Sequence, residues 1–376
     1  MSEGLEIEKL LSVMVEKGAS DIYLTVDSPP AFRINGVTKP AGNRCLEPED
    51  TEHLSRSIMS DRQQREFEEK NEQNLALYYP NFGRFRVNIF RQRGLVAMVI
   101  RQIKAQIPSI ESLQLPQVLK DVVLTKRGLV IVVGATGSGK STTLASMIDY
   151  RNEKESGHIV SIEDPIEFVH SHKKSVISQR EIGMDTESYH IALKNVLRQA
   201  PDVILIGEIR DRESMEAALH CAETGHLCLA TLHSNNANQA IERILHLFPA
   251  DRHQQIYMDL SLNLRAVISQ RLLPATAGGR VPAVEVLLDS ARVKDLIHKG
   301  EIGELKDAME RGSTVGMQTF DEALYNLYRA KKISLDDALA NADSANNLRL
   351  RIKLSDEKGA FRKAATAEPK PSILSD

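Results

Sequence analysis

The sequence predicts an α/β protein in two parts. A small α+β domain covers residues 1–105, and a larger domain over 118–354 has a largely parallel sheet finished by helices. Three observations carry this. Residues 83–90 alternate strictly, with Phe85, Val87 and Ile89 pointing one way and Arg84, Arg86 and Asn88 the other, as in a strand with one buried face. From residue 118 onward, short apolar runs at 129–133, 158–162, 203–206 and 227–231 alternate with helical segments, as strands covered on both faces do. The first of those runs opens onto a glycine-rich turn at 134–141 that leads into a helix.

Composition narrows the field. The chain has 376 residues, 42% hydrophobic and 26% charged, enough for two cores of ordinary size. A formal charge of −3, with no basic face interleaved with aromatics, argues against a nucleic-acid partner. Cys45, Cys221 and Cys228 lack the spacing of a zinc or disulfide framework. The N-terminus is acidic and amphipathic, unlike a signal peptide, and no apolar run reaches the length of a membrane span; a soluble, cytoplasmic protein is expected. No repeat of fixed period is visible.

In chain order, residues 5–16 place Ile7, Leu10, Leu11 and Met14 on one helical face, with Gly18 as the stop. Strands follow at 21–26 and 31–37, the second ending in an Asn35-Gly36 turn signal. Residues 47–70 read as one or two polar helices. The strand at 83–90 turns at 92–94 and returns as 95–103. Residues 106–117, with Pro108 and Pro116, form the linker. Helices are predicted at 189–199 and 214–223 between the apolar strands. Past Asn236 the chain reads as helical to about Ala340, broken by one strand at 280–288. Residues 355–376 mix Lys, Glu, Ala, Ser and Pro without periodicity and read as a disordered tail.

The turn reads Gly134, Ala135, Thr136, Gly137, Ser138, Gly139, Lys140, Ser141, with Thr142 opening the helix. Its glycines let backbone N–H groups converge on phosphate oxygens, Lys140 reaches the outer phosphates, and the Ser141 hydroxyl suits Mg²⁺. Such enzymes also need carboxylates at the carboxyl ends of neighbouring strands, to support the metal and orient a water. Glu163, with Asp164 beside it, ends one strand, and Glu208 ends another just ahead of Arg210. Helix capping or turn formation is the competing role for these acids, above all for Asp164-Pro165. His226 and His233 bracket the strand at 227–231; they are either structural or sense phosphate, and no metal spacing accompanies them.

These motifs carry a resemblance. Glu163-Asp164-Pro165-Ile166-Glu167 is similar to the aspartate box of the type II/IV secretion ATPases, Gly207-Glu208 to their Walker B, and residues 224–235 to their histidine box. Ala19-Ser20-Asp21 and Arg84-Phe85-Arg86-Val87-Asn88 resemble the family's N-terminal signatures, and the likeness runs from about Ile7 to Lys353. Within the family the chain resembles the twitching-motility retraction ATPases of the PilT/PilU type, and segments 318–330, 334–340 and 342–347 sit nearer the PilU side.

The resemblance implies a ring-shaped homo-hexamer with an N-terminal PAS-like domain and a RecA-like ATPase domain that uses ATP and Mg²⁺. It makes Glu163 the group that polarises water and gives Glu208 to the metal or the water. Arg84, Arg86 and Arg101 would reach the γ-phosphate, donated by an adjacent domain or subunit. Arg210 and His226 would join the nucleotide-binding residues, and His233 the catalytic ones. Two departures matter. The chain cannot form the four-cysteine zinc module usual in assembly and secretion motors, which favours the retraction branch. The Ala-Ile-Arg motif of PilT is replaced by Arg292-Val293-Lys294. The resemblance therefore implies an accessory motor acting with PilT on an inner-membrane pilus platform protein, at the cytoplasmic face. An extension or secretion ATPase, and a nucleotide-responsive adaptor of PilT with little turnover, are the rival readings.

Overall fold

Hydrophobic spacing decides which side of each element turns inward, and the two units of the chain use it differently. The structure, a computed structural model, describes residues 6–34, 36–103, 106–312 and 316–365, with side chains as far as 355. One unit is Met1–Ile107 with Pro165–Ser171; the other is Pro108–Asp164 with His172–Asp376.

In the first unit, α1 (Ile7–Glu16) buries Ile7, Leu10, Leu11 and Met14, the stripe its spacing predicts. It is followed by β1 (Asp21–Leu24), β2 (Ala31–Ile34), β3 (Val37–Pro40), α2 (Pro48–Ile58), α3 (Asp61–Lys70), β4 (Glu72–Tyr79), β5 (Gly83–Gln92) and β6 (Leu95–Ile103). The strands form an antiparallel sheet in the order β3-β2-β1-β6-β5-β4. The predicted strand at 31–37 is in fact two strands: β2 stops at Ile34, Gly36 takes a left-handed φ of +81°, and β3 starts at Val37. The polar stretch 47–70 is two helices, because the Ser60 hydroxyl accepts from the Gln63 N–H and caps the second. Edge strand β4 escapes the sequence reading, since Leu75 is its one buried residue. Phe85, Val87 and Ile89 join Ile22, Leu24, Met98 and Ile100 in a core closed by Leu11, Leu54 and Phe67 from the helices. The sheet's other face carries Arg84, Arg86, Asn88 and Arg101 beside Phe90, Val99 and the buried Ala97 and Ile103.

The second unit runs through α4 (Val118–Val123), β7 (Gly128–Val133), α5 (Lys140–Lys154), β8 (Gly157–Glu163), β9 (Ser175–Glu181), α6 (Tyr189–Val196), β10 (Val203–Ile206), α7 (Arg212–Glu223) and β11 (Leu227–Leu232). It continues with α8 (Ala237–His246), α9 (His253–Asn263), β12 (Leu264–Pro274), β13 (Arg280–Leu288), α10 (Ala291–Lys299) and α11 (Leu305–Arg311). The last helices are α12 (Phe320–Arg329), α13 (Leu335–Ala340) and α14 (Ala345–Ala365). The sheet order is β13-β12-β7-β11-β10-β8-β9, parallel except for the β12–β13 hairpin. Both faces are covered. Leu129, Ile131 and Val133 of β7 face one core cluster, and Val130 and Val132 face another. Burying each such side chain contributes about 1.5–3 kcal/mol, so this sheet is the stable frame of the unit.

Two readings are corrected here. Residues 264–274, predicted helical, form β12, because β-branched Val267 and Ile268 fit the pleat between β7 and β13. The tail predicted from Ser355 begins inside α14, which runs to Ala365. Its Lys, Glu, Ala and Arg are good helix formers, and a helix with no apolar stripe leaves no periodicity to detect. Residues 366–376 lie outside the described residues. Among the described residues no helix is long and apolar enough to cross a membrane.

Candidate active site

Strand β7 delivers the glycine-rich turn, and α5 receives it. At Gly134 a Cβ would sit 2.4 Å from Ser138 Oγ and 2.5 Å from the Gln270 carbonyl oxygen, so only glycine fits. Gly139 has φ +91°, and its Cβ would press on Gln270 Nε2 at 2.7 Å. Ala135, Thr136 and Gly137 form the exposed tip, while Lys140, Ser141 and Thr142 are half-buried at the start of α5. Lys140 Nζ donates to the carbonyls of Gly134 (2.9 Å) and Ala135 (3.1 Å). Ser138 Oγ is buried with no hydrogen-bond partner among the described residues. A turn of convergent N–H groups, an orphaned hydroxyl and a lysine at the N-terminus of a 15-residue helix suits a polyphosphate. A cavity of about 310 Å³ adjoins it, lined by the turn with Asn235, Gln270, Arg271, Arg280 and Asn341.

Parallel register brings the neighbouring strand ends level. Ile162, Ile206, Ala230 and Ile131 lie in one row across β8, β10, β11 and β7. The groups just past that row therefore stand side by side, with His233, Glu208 and Glu163 on strands roughly 5, 10 and 14 Å from β7. Glu163 Oε1 accepts from the Ser161 hydroxyl (2.6 Å) and from Gln179 Nε2 (3.1 Å), which anchors that oxygen. Glu208 Oε2 accepts from Arg210 Nε at 2.6 Å, and its Oε1 lies 2.7 Å from His233 Nε2. Arg210 also reaches Asp164 Oδ2 at 3.3 Å, and the Glu208 bond pushes its pKa above the ordinary arginine value. The loop after β10 is tied to β11 by Thr231, whose hydroxyl donates to the Gly207 carbonyl at 2.5 Å. Of the nearby acids it is Asp211 that caps a helix, accepting from the Ser214 N–H (2.8 Å), a bond that lowers its pKa.

His226 does not join this group. It sits at the amino end of β11, where its carbonyl accepts from the Gly128 N–H and its ring contacts Thr224 and the Cys221 carbonyl. That is roughly 20 Å along the strand from His233, at the wrong end of the sheet for the glycine-rich turn. Arg84, Arg86 and Arg101 belong to the first unit, on the sheet face opposite Phe85, Val87 and Ile89. Arg86 lies directly opposite Arg101, Arg84 Nε is buried with no hydrogen-bond partner among the described residues, and Arg101 Nε donates to Asp21 Oδ1 at 2.7 Å.

Two residues of the site escape the sequence reading. The Tyr189 hydroxyl is buried and unpartnered among the described residues, 2.9 Å from where a Gly207 Cβ would stand; burial and Asp164 raise its pKa. Gln270, from the unpredicted β12, donates through Nε2 to the Ser138 carbonyl (2.8 Å) and accepts through Oε1 from the Thr143 hydroxyl (2.7 Å).

A parallel sheet with a phosphate-binding loop after one strand and carboxylates at the ends of the next defines a P-loop nucleotide-hydrolase fold. The family model described as type II/IV secretion system protein matches residues 5–323. The type IV pilus ATPase PilU of Pseudomonas aeruginosa is 57% identical over 357 residues, spanning 95% of this chain and 94% of that protein. The type IV pilus retraction ATPase PilT of the same organism is 40% identical over 343 residues, spanning 91% of this chain and 100% of that one. The crystal structure of the pilus retraction motor PilT with bound ADP superposes with a TM-score of 0.84 at 44% identity, covering 90% of this chain and 98% of that one. The chain belongs to the type II/IV secretion system protein family, as a PilU-like ATPase.

Proposed function

We propose that this chain is an ATP-hydrolysing motor of type IV pilus retraction, working in a homo-hexamer as an accessory to PilT. The observation that carries it is the intact pairing of the loop's Lys140 with Glu163 and Glu208 at the strand ends, in a chain 57% identical to PilU. In this reading the first unit is a PAS-like domain, residues 106–117 are a linker, and the second unit is a RecA-like ATPase domain. The ring works at the cytoplasmic face of the inner membrane on a pilus platform protein.

The residues divide the work. Backbone N–H groups of residues 134–139 and the Lys140 ammonium hold the phosphates. The Ser141 hydroxyl would hold a hard cation, and Glu208, whose oxygens meet Arg210 and His233, would support it. Mg²⁺, when bound, supplies charge neutralisation along the phosphates. Glu163, its Oε1 anchored by Ser161 and Gln179, orients and deprotonates the attacking water. Arg84 and Arg86 are donated to a neighbouring subunit's γ-phosphate; a planar fork suits that contact.

The accessory role rests on Lys294, which stands where PilT's motif has arginine. Its ammonium is held by Asp289 at 3.0 Å, and Asp289 also accepts from Arg265 at 2.6 Å. A point donor so engaged is a poor substitute for a rigid fork in coupling hydrolysis to a platform. Imaging labelled pili tests this. Cells lacking PilT but overproducing this chain keep their pili extended. Cells whose PilT binds the platform but cannot hydrolyse ATP regain some retraction only if Lys140 and Glu163 are intact here. Normal retraction without any PilT refutes the accessory role, and normal extension lost on deleting this chain favours an assembly motor.

A further inference from the structure

We infer that Gln270 is a positioning residue of the nucleotide loop, aiming the Gly139 N–H at bound phosphate; this rests on the reading of residues 134–141 as a phosphate cradle. Strand β12 outruns β7: Ser269 pairs with Val133, the last residue of β7, so Gln270 runs alongside the loop itself. Its main-chain oxygen sets the close approach at Gly134, and its side chain, on a residue only 3% exposed, reaches two further points of the turn.

The chemistry of the two partners fixes the amide. The Ser138 carbonyl can only accept, so the NH₂ must face it, which leaves Oε1 for the Thr143 hydroxyl at 2.7 Å. A buried amide with both ends satisfied cannot rotate without losing a bond. The consequence falls on the next peptide. In a trans peptide the C=O and the following N–H point in opposite directions, so holding Ser138 O toward β12 turns the Gly139 N–H away from it, into the loop. Gly139 is also the N-cap of α5, where its N–H adds to the positive end of the helix. Released from Gln270, this peptide can flip and present a carbonyl to the phosphates. Gln270 touches no reacting atom and acts on ground-state binding, so its loss appears in KM and Kd, with kcat spared.

The test titrates a fluorescent ADP against the full-length wild type, Lys140→Ala, Gln270→Leu and Gln270→Glu, and measures ATPase kcat and KM for each. Gln270→Leu raises Kd and KM about tenfold, the effect of one well-placed hydrogen bond, with kcat within about threefold. Gln270→Glu, which sets a carboxylate against the Ser138 carbonyl, does at least as much harm. Thr143→Val frees the amide from its other side, shifts KM the same way by about threefold, and keeps the readout available should Gln270→Leu not fold. Wild-type ADP binding that survives Gln270→Leu unchanged while Lys140→Ala abolishes it overturns this inference alone. A wild type that binds no ADP overturns the reading of the loop and this inference with it.

Discussion

Across the antiparallel sheet of the first unit, Arg33, Asp21, Arg101 and Arg86 are register partners on four successive strands, β2, β1, β6 and β5. In the second unit, β7, β10 and β11 are buried from end to end, and the polar groups gather past the last residue of each strand. The difference follows from what covers each sheet. An antiparallel sheet packed on one side can display charge on its open face; a parallel sheet packed on both sides can expose chemistry only at its ends. In one sheet charge is read by alternation, in the other polar groups are read by where a strand stops.

If the open face serves a neighbour's nucleotide, it carries the largest effect. Arg84→Ala/Arg86→Ala lowers ATP turnover by about 10³–10⁵, the contribution of arginines supplied in trans. Mixing this subunit with Lys140→Ala subunits restores part of the rate, because each contributes the half the other lacks. A loss below tenfold in the steady-state assay, or no recovery at any ratio, would confine the chemistry to the strand ends. Arg101 is best left intact in that experiment, since it holds Asp21. At the strand ends, Glu163→Gln lowers turnover by about 10²–10⁴, the usual weight of a general base, while ADP binding stays within a factor of about two. A Glu163→Gln rate near wild type would remove the carboxylate from its role.

The same contrast explains what the sequence discloses. The turn 134–141 is legible because a phosphate cradle is made by consecutive residues, and Glu163 and Glu208 because strand ends announce themselves when an apolar run stops. The place of His226 is hidden because a strand's two ends look alike in sequence; only register shows that within the chain it lies beside Gly128 and not beside the turn. Gln270 and Tyr189 are invisible for another reason. Their places in the site come from chain segments brought together by the fold, Gln270 through its bonds to Ser138 and Thr143 and Tyr189 through its close approach to Gly207, and β12 itself hides in a segment whose leucines also fit a helix.

Stability separates the arginines of the open face. Asp21 is buried, with 3% of its side chain exposed, and accepts from Arg101 at 2.7 Å, while Arg33 stands farther off at 3.7 Å. Arg101→Ala costs the first unit about 1–2 kcal/mol, less than a fully buried pair would lose because Arg101 itself is largely solvated. Arg86→Ala costs under about 0.5 kcal/mol, as a surface change does. Urea unfolding of both variants checks this, and equal midpoints would mean that Arg101 is no more structural than Arg86.

The smallest effect concerns the second unit's own buried acid. Glu285 on β13 is 2% exposed and is held by neutral donors: the Ala237 N–H at 2.8 Å and the Ser269 hydroxyl at 3.0 Å. Burial raises its pKa above the ordinary 4.5, and these two bonds only partly oppose the rise. Between 4.5 and the raised value the folded chain binds more protons than the unfolded one, so stability falls as pH climbs through that window and levels off above it. Glu285→Gln keeps an acceptor for Ala237 and Ser269 but cannot ionise. Its stability relative to wild type, read from hydrogen exchange at β12 and β13, therefore improves as pH rises from 5 to 8, by well under the cost of removing a core side chain. A wild-type advantage that grows with pH instead would mean that the donors at the start of α8 stabilise the ionised Glu285 carboxylate by more than burial disfavours it.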